Sequence, residues 1–318
     1  VCATLARAVA DVDETVARVR RAAAARGLEL RARGLAPWFD PETVGLRRPK
    51  PRYRVMDEYF RRLGPWGRWM MRLSASLQVN LDFGGPAEAP GRWRTANALG
   101  PVLVAAFANS PARLADGSAV ANGRWWVWRR VDPARTGPLG RPLPGAPPPW
   151  SEYLVFALRA PVMFDAATRP VVLDGREAPP FRDWWLAGGR DGPAEADWHA
   201  HLGALFPDVR PRRWMEIRSI DVPEPEWWPV PPALLAALLY DPRARAAADE
   251  RLEALSAASS RPSLCERATR AGLADGALRG AAADLFETAE SAMDGFPEGW
   301  FGERSRRAVA AFRERFVE

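Results

Sequence analysis

Polar and apolar residues alternate without a break from Ser74 to Phe83, with Ser74, Ser76, Gln78, Asn80 and Asp82 on one side and Ala75, Leu77, Val79, Leu81 and Phe83 on the other. A period of two predicts a strand with an apolar back. Its front carries short amides and hydroxyls instead of the lysines, glutamates and arginines of an ordinary wetted face. Two readings fit: one wall of a polar binding cleft, or the outer face of an antiparallel sheet. The same period recurs over 213–221, which puts Trp214, Glu216 and Arg218 on one face and Met215 and Ile217 on the other. Along a strand the α-carbons of Glu216 and Arg218 stand about 6.8 Å apart. That spacing leaves room for both to hold a third charged group, a metal ion or a phosphate. A third alternating stretch, 124–132, predicts a strand with Arg124, Trp126, Trp128 and Arg130 along one side, followed by Asp132 and Arg135-Thr136-Gly137. Arginine beside tryptophan suits an anion with a flat or apolar part.

Elsewhere the pattern is helical. Residues 3–26 read as an amphipathic helix ending at Gly27, followed by a short strand over 28–33. Pro49 and Pro51 precede a helix over 54–63, and another spans 92–108 up to Asn109-Ser110-Pro111. The proline- and glycine-rich stretch 137–149 reads as an exposed loop. Short helices follow over 151–159, 181–186 and 194–205, with a hairpin over 162–173 between the first two. From Pro231 onward nearly everything is helical, with alanine, leucine and arginine spaced for packing. No internal repeat stands out.

A chain of 318 residues, 47% hydrophobic and 26% charged, describes a soluble globular protein with a substantial core, here expected as one domain over 1–318 whose part from 231 to 318 is mostly helical. The longest apolar run, Leu99 to Ala108, is too short to span a membrane and contains Pro101. Cys2 and Cys265 are too few for a disulfide scaffold and suit a reducing cytoplasm. A net charge of +6 raises nucleic acid as a partner. Against it, Lys50 is the sole lysine, and the arginines are spread among acidic residues with no compact basic block. Sequences of the forms GxxxxGK[ST], GxGxxG and GxSxG are absent, which removes P-loop, dinucleotide-fold and serine-hydrolase readings. His199 and His201 fall at i,i+2 in a helical pattern, where they do not face each other, so packing is favoured over a metal site.

Taken together, the segments RYRVMDEYFRRLG, WMMRLSASLQVNLDF, LGPVLVAAFANSP, RWWVWRRVDPARTG, FRDWWLAG, DWHAHLGALFPDVR and RRWMEIRSID resemble the plant and bacterial glutamate-cysteine ligases, including the actinobacterial branch that feeds ergothioneine synthesis. The likeness runs in order from about residue 50 to 240. It rests on the combination of Q-V-N-L-D, A-N-S-P, D-x-x-R-T-G and M-E-I-R. The resemblance implies an α+β fold with a funnel of antiparallel strands of the glutamine-synthetase type, surrounded by helices. It implies Mg-ATP-dependent phosphorylation of the γ-carboxylate of glutamate, then attack of the cysteine amine on the acyl phosphate. By resemblance Glu216 is a magnesium ligand and Arg218 contacts the transferring phosphoryl group. Gln78, Asn80 and Ser76 line the substrate side of the funnel, and Arg124 holds a substrate carboxylate or phosphate. Trp128 is assigned to the core.

Departures from the family pattern are Leu73 in place of an arginine, with Arg72 one position earlier, Phe156 in place of a tyrosine, and Arg159 in place of an acidic residue. The family's glutamate-rich first strand has no counterpart after Val1, so a chain lacking N-terminal strands is expected. The alternatives are a related ligase with another amine acceptor, and a catalytically inactive relative serving as a binding subunit. Glutamate, cysteine and ATP are the expected small-molecule partners, with neither nucleic acid nor membrane.

Overall fold

The computed structural model describes residues 2–137, 139, 150–173, 176–189 and 192–318. The architecture is α+β, mostly helical with small antiparallel sheets, of which the largest is central here. That sheet has three strands in the order Ser76–Leu81, Met215–Asp221, Val209–Pro211. The two stretches whose alternation was plainest, one near residue 80 and one near 217, are thus neighbours in space. The expected 137–149 loop lies outside the described residues except at 137 and 139.

Register fixes which side chains meet. Asn80 lies opposite Glu216, and Glu216 opposite Arg210, so one row crosses all three strands. Between the pairs Leu77↔Ile220 and Val79↔Ile217 the central strand carries one extra residue. Such a bulge shifts the parity of everything beyond it. Asp221 consequently sits opposite Ser76, where an unbroken ladder would have placed Ile220. The apolar backs behave as the alternation demands: Val79, Leu81, Met215 and Ile217 are buried. Helices Gly100–Ala106 and Val230–Tyr240 pack on the sheet, and 261–271, 276–293 and 302–312 form a further layer. Val230–Tyr240 is apolar on every side, as a helix enclosed by others must be.

Four expected elements differ. Residues 124–132 do not form a strand; Gly123–Val131 is a helix, N-capped by the Asn122 side chain, which accepts from the Trp125 amide at 2.8 Å. Residues 28–33 form no strand and join no ladder among the described residues. The expected hairpin over 162–173 is instead a short pairing of Val172–Leu173 with Arg176–Glu177. The helix expected over 92–108 divides into Ala89–Ala98 and Gly100–Ala106. A helix over Trp66–Leu73, unforeseen, leads into the first strand.

Candidate active site

In front of the sheet lies a cavity of ≈ 540 Å³, walled by the sheet, the helices Pro51–Leu63 and Trp66–Leu73, and the segments around Gly45 and Gly203. Gln78, Arg210, Arg212 and Arg218 reach it from the sheet side, Arg52, Met56 and Arg72 from the helices, and Arg47 and Arg48 from the preceding loop. Among the described residues lining it are seven arginines and no carboxylate. Alternation along Val209-Arg210-Pro211-Arg212 puts Arg210 and Arg212 on the face of the row that holds Glu216. This period-two signal was present in the sequence but short enough to miss.

Glu216 lies behind the cavity wall, 5% exposed. Its Oε1 accepts from Arg210 at 2.6 Å and from Arg218, and its Oε2 faces Arg212 at 3.3 Å. Glu216 and Arg218 hold each other directly, where the two-residue spacing reads as leaving room between them. Burial pushes the Glu216 carboxyl upward, but the charges of Arg218 and Arg210 together outweigh it and hold the group below the usual carboxylate range. Burial, reinforced by the charge of Arg210, lowers Arg218 to about 10, so it remains cationic at neutral pH. Its guanidinium lies 5.3 Å from the Trp128 ring centroid, and Trp128 in turn meets Phe206 edge-on. Trp128 is therefore core, and it also backs the arginine that faces the cavity.

Of the residues expected to form the site, Gln78 and Arg218 line the cavity, and Glu216 and Asn80 share the row just behind or beside it. Ser76 and Arg124 are not among its lining. Arg124 is buried against Asp221, and Asp221 also accepts from the Ser110 hydroxyl at 2.6 Å and the Asn109 amide at 2.8 Å. Gly34 passes so close to this carboxylate that a Cβ there would stand 2.4 Å from Asp221 Cγ. The A-N-S-P segment therefore anchors the far end of the central strand. Asp132 and Arg135 of D-x-x-R-T-G pair with each other, Tyr59 donates to Asp132 at 3.0 Å, and Arg135 reaches the Ala204 carbonyl. Both motifs hold the scaffold.

The described residues do not assemble a metal site. No group of three histidine, cysteine, aspartate or glutamate side chains converges among them, and both oxygens of Glu216 face guanidinium groups. His199 is exposed, facing Glu195, whereas His201 is buried with its Nε2–H donating to the Ala157 carbonyl at 2.8 Å.

The model of glutamate-cysteine ligase family 2 matches residues 1–318. The chain belongs to that family. It is 38% identical over 282 residues to glutamate–cysteine ligase EgtA of Mycolicibacterium smegmatis, covering 86% of this chain and 63% of that protein. Identity to EgtA of Mycobacterium tuberculosis is also 38%, over 81% of this chain and 58% of that protein. The chloroplastic glutamate–cysteine ligase of Medicago truncatula is 29% identical over 94% of this chain and 60% of its own length. The chain thus spans between 58% and 63% of these curated relatives. Among the described residues no helix is long and apolar enough to cross a membrane.

Proposed function

We propose that this chain, as one catalytic unit over 1–318, belongs to a cytoplasmic ATP-dependent ligase that joins the γ-carboxylate of L-glutamate to the amine of L-cysteine. The single observation that carries the reading is the arginine-walled cavity in front of the sheet, with Arg218 at its base. Glutamate and ATP are both anions, and planar guanidinium forks match carboxylate and phosphate oxygens. In the reaction a γ-carboxylate oxygen takes the terminal phosphoryl of ATP, leaving ADP. The cysteine nitrogen then attacks the acyl carbon, phosphate departs, and γ-glutamylcysteine remains. Arg218 and Arg210 would counter charge on the transferring phosphoryl group, and Gln78 would orient the substrate through its amide. Asn80 and Ser76 would extend that polar front toward the sheet edge, while Arg124 would act through Asp221 by fixing the central strand. We take the antiparallel sheet as part of a glutamine-synthetase-like funnel. Mg²⁺, the cation expected to accompany ATP, enters no step of this reading, because the described residues offer it no ligand set.

The guanidinium clamp on Glu216 favours a second reading, an inactive relative that binds the same anions. Mg-ATP, glutamate and cysteine added to the chain decide between them. Ligation predicts ADP and γ-glutamylcysteine in equal amounts, falling roughly 10²-fold in Arg218→Lys, the scale of losing one preorganised donor to transition-state charge. Saturable binding without product would establish the binding reading, and a panel of other amines would reveal a different acceptor.

A further inference from the structure

Glu216, Arg210, Arg212 and Arg218 form a closed electrostatic unit. One carboxylate draws in three guanidiniums from two adjacent strands, and it keeps neither oxygen free of them. A divalent cation bound here would have to displace an arginine and then sit among the remaining cationic groups. The arginines, by contrast, have capacity to spare. Arg72, Arg210 and Arg218 each retain a buried Nε–H with no acceptor among the described residues, and Arg212 is 45% exposed. A single carboxylate or sulfate would engage one or two of the seven arginines lining the cavity. A chain of phosphates can reach several at once, and a cavity of ≈ 540 Å³ lies within the range of small-molecule sites.

We propose that this cavity binds a polyphosphate directly through guanidinium groups, with no metal ion bridging it to the protein, and that Glu216 is a positioning residue which holds Arg210, Arg212 and Arg218 in a fixed fan. The inference rests on the reading of this cavity as the phosphate-handling site and deepens it. Glu216 is then not a metal ligand in this chain. Its work is to convert mobile arginines into a preorganised set that prefers a chain of phosphates to an isolated anion.

The test uses inorganic tripolyphosphate and sulfate as probes, followed by titration calorimetry in EDTA and again with excess Mg²⁺. Saturable binding of tripolyphosphate in EDTA, at least as tight as with Mg²⁺, is expected, with about a tenfold loss in Arg212→Ala for one charge-assisted contact. Binding that requires Mg²⁺, absence of binding in both buffers, or indifference to Arg212→Ala would overturn the inference. In Glu216→Gln the preference for tripolyphosphate over sulfate should fall about tenfold in EDTA, while Mn²⁺ uptake followed by electron paramagnetic resonance stays unchanged. Simple removal of a negative charge would favour the more highly charged anion. A ratio that holds or rises therefore rejects the positioning role, and loss of Mn²⁺ binding restores a metal ligand. The ligase reading is judged separately by cysteine-dependent ADP release: polyphosphate binding without turnover removes that reading alone, and turnover with Mg²⁺-dependent anion binding removes this inference alone.

Discussion

A carboxylate two residues from a guanidinium on one strand can either reach it or bracket an ion with it, and spacing alone does not decide. Glu216 reaches, because Arg210 on the neighbouring strand and Arg212 at its end add further positive charge from the same side. His201 is a second residue whose setting the sequence hid. Its ring lies 4.9 Å from Phe181 and 5.9 Å from Trp198, centroid to centroid, and burial above all lowers its pKa to about 4 against an ordinary 6.5. Between those values the unfolded chain binds a proton that the folded one refuses, so stability is full above about pH 6.5 and declines as pH falls toward 4. Acidification from about pH 7.5 to pH 5 should remove about 2 kcal/mol through this group. Urea titrations of the wild-type chain and His201→Phe check it: the variant should lose that much less over the same interval. Parallel pH profiles would mean that His201 is protonated in the folded state. Helical spacing alone made His201 a poor metal ligand; that it is a buried neutral imidazole depends on Phe181 and the Ala157 carbonyl, which are distant in sequence.

At the scale of elements, a period of two was a sound guide at Ser76–Leu81, whose second half alternates in burial, and at Met215–Asp221, where the side chains alternate in polarity although the central place in the sheet buries all of them but Arg218. It misled at 124–132, where arginine and tryptophan alternate chemically while burial follows a helix. Arg124, Trp125, Val127, Trp128 and Val131 are the buried members. Arg124 belongs with the core because Asp221 neutralises it, and a carboxylate 97 residues away could not be seen in the local pattern. The local helix signals were nevertheless present: Asn122 as cap, Gly123 behind it, and Asp132-Pro133 as a stop. Asn122 is fully buried, with Oδ1 accepting from the Trp125 amide and Nδ2 donating to the Val104 carbonyl at 3.1 Å. Asn122→Ala removes the cap and strands two partners, so a loss of about 2–4 kcal/mol is expected in chemical denaturation. A loss below about 0.5 kcal/mol, the range of an ordinary surface change, would show that the helix is held by packing without its cap.

At the scale of the molecule, the family was legible because four short motifs occur in order, yet much of what they do is structural. A-N-S-P braces the sheet, D-x-x-R-T-G ties together the helices and loops beside it, and six of the seven arginines lining the cavity lie outside all four motifs. Charge shows the same gap between sequence and space. Arginines that look dispersed along the chain converge, seven of them on one cavity, in a protein whose net charge is +6. That concentration overturns the dispersed-charge reason for setting nucleic acid aside, and the salt dependence of binding tests the expectation directly. If seven arginines did track a duplex backbone, log K against log salt would fall with a slope near −6, at about 0.9 per phosphate. Fluorescence anisotropy with a labelled 20-mer duplex between about 50 and 200 mM KCl should instead give a shallow dependence and weak binding, on the order of 10⁻⁴ M or weaker at the upper salt. Tripolyphosphate should compete little for what duplex does bind, because the duplex contacts the outer surface and the short anion occupies the cavity. A slope approaching −6, abolished by tripolyphosphate, would place the arginine cluster on a face open to DNA and return the basic charge to nucleic-acid recognition.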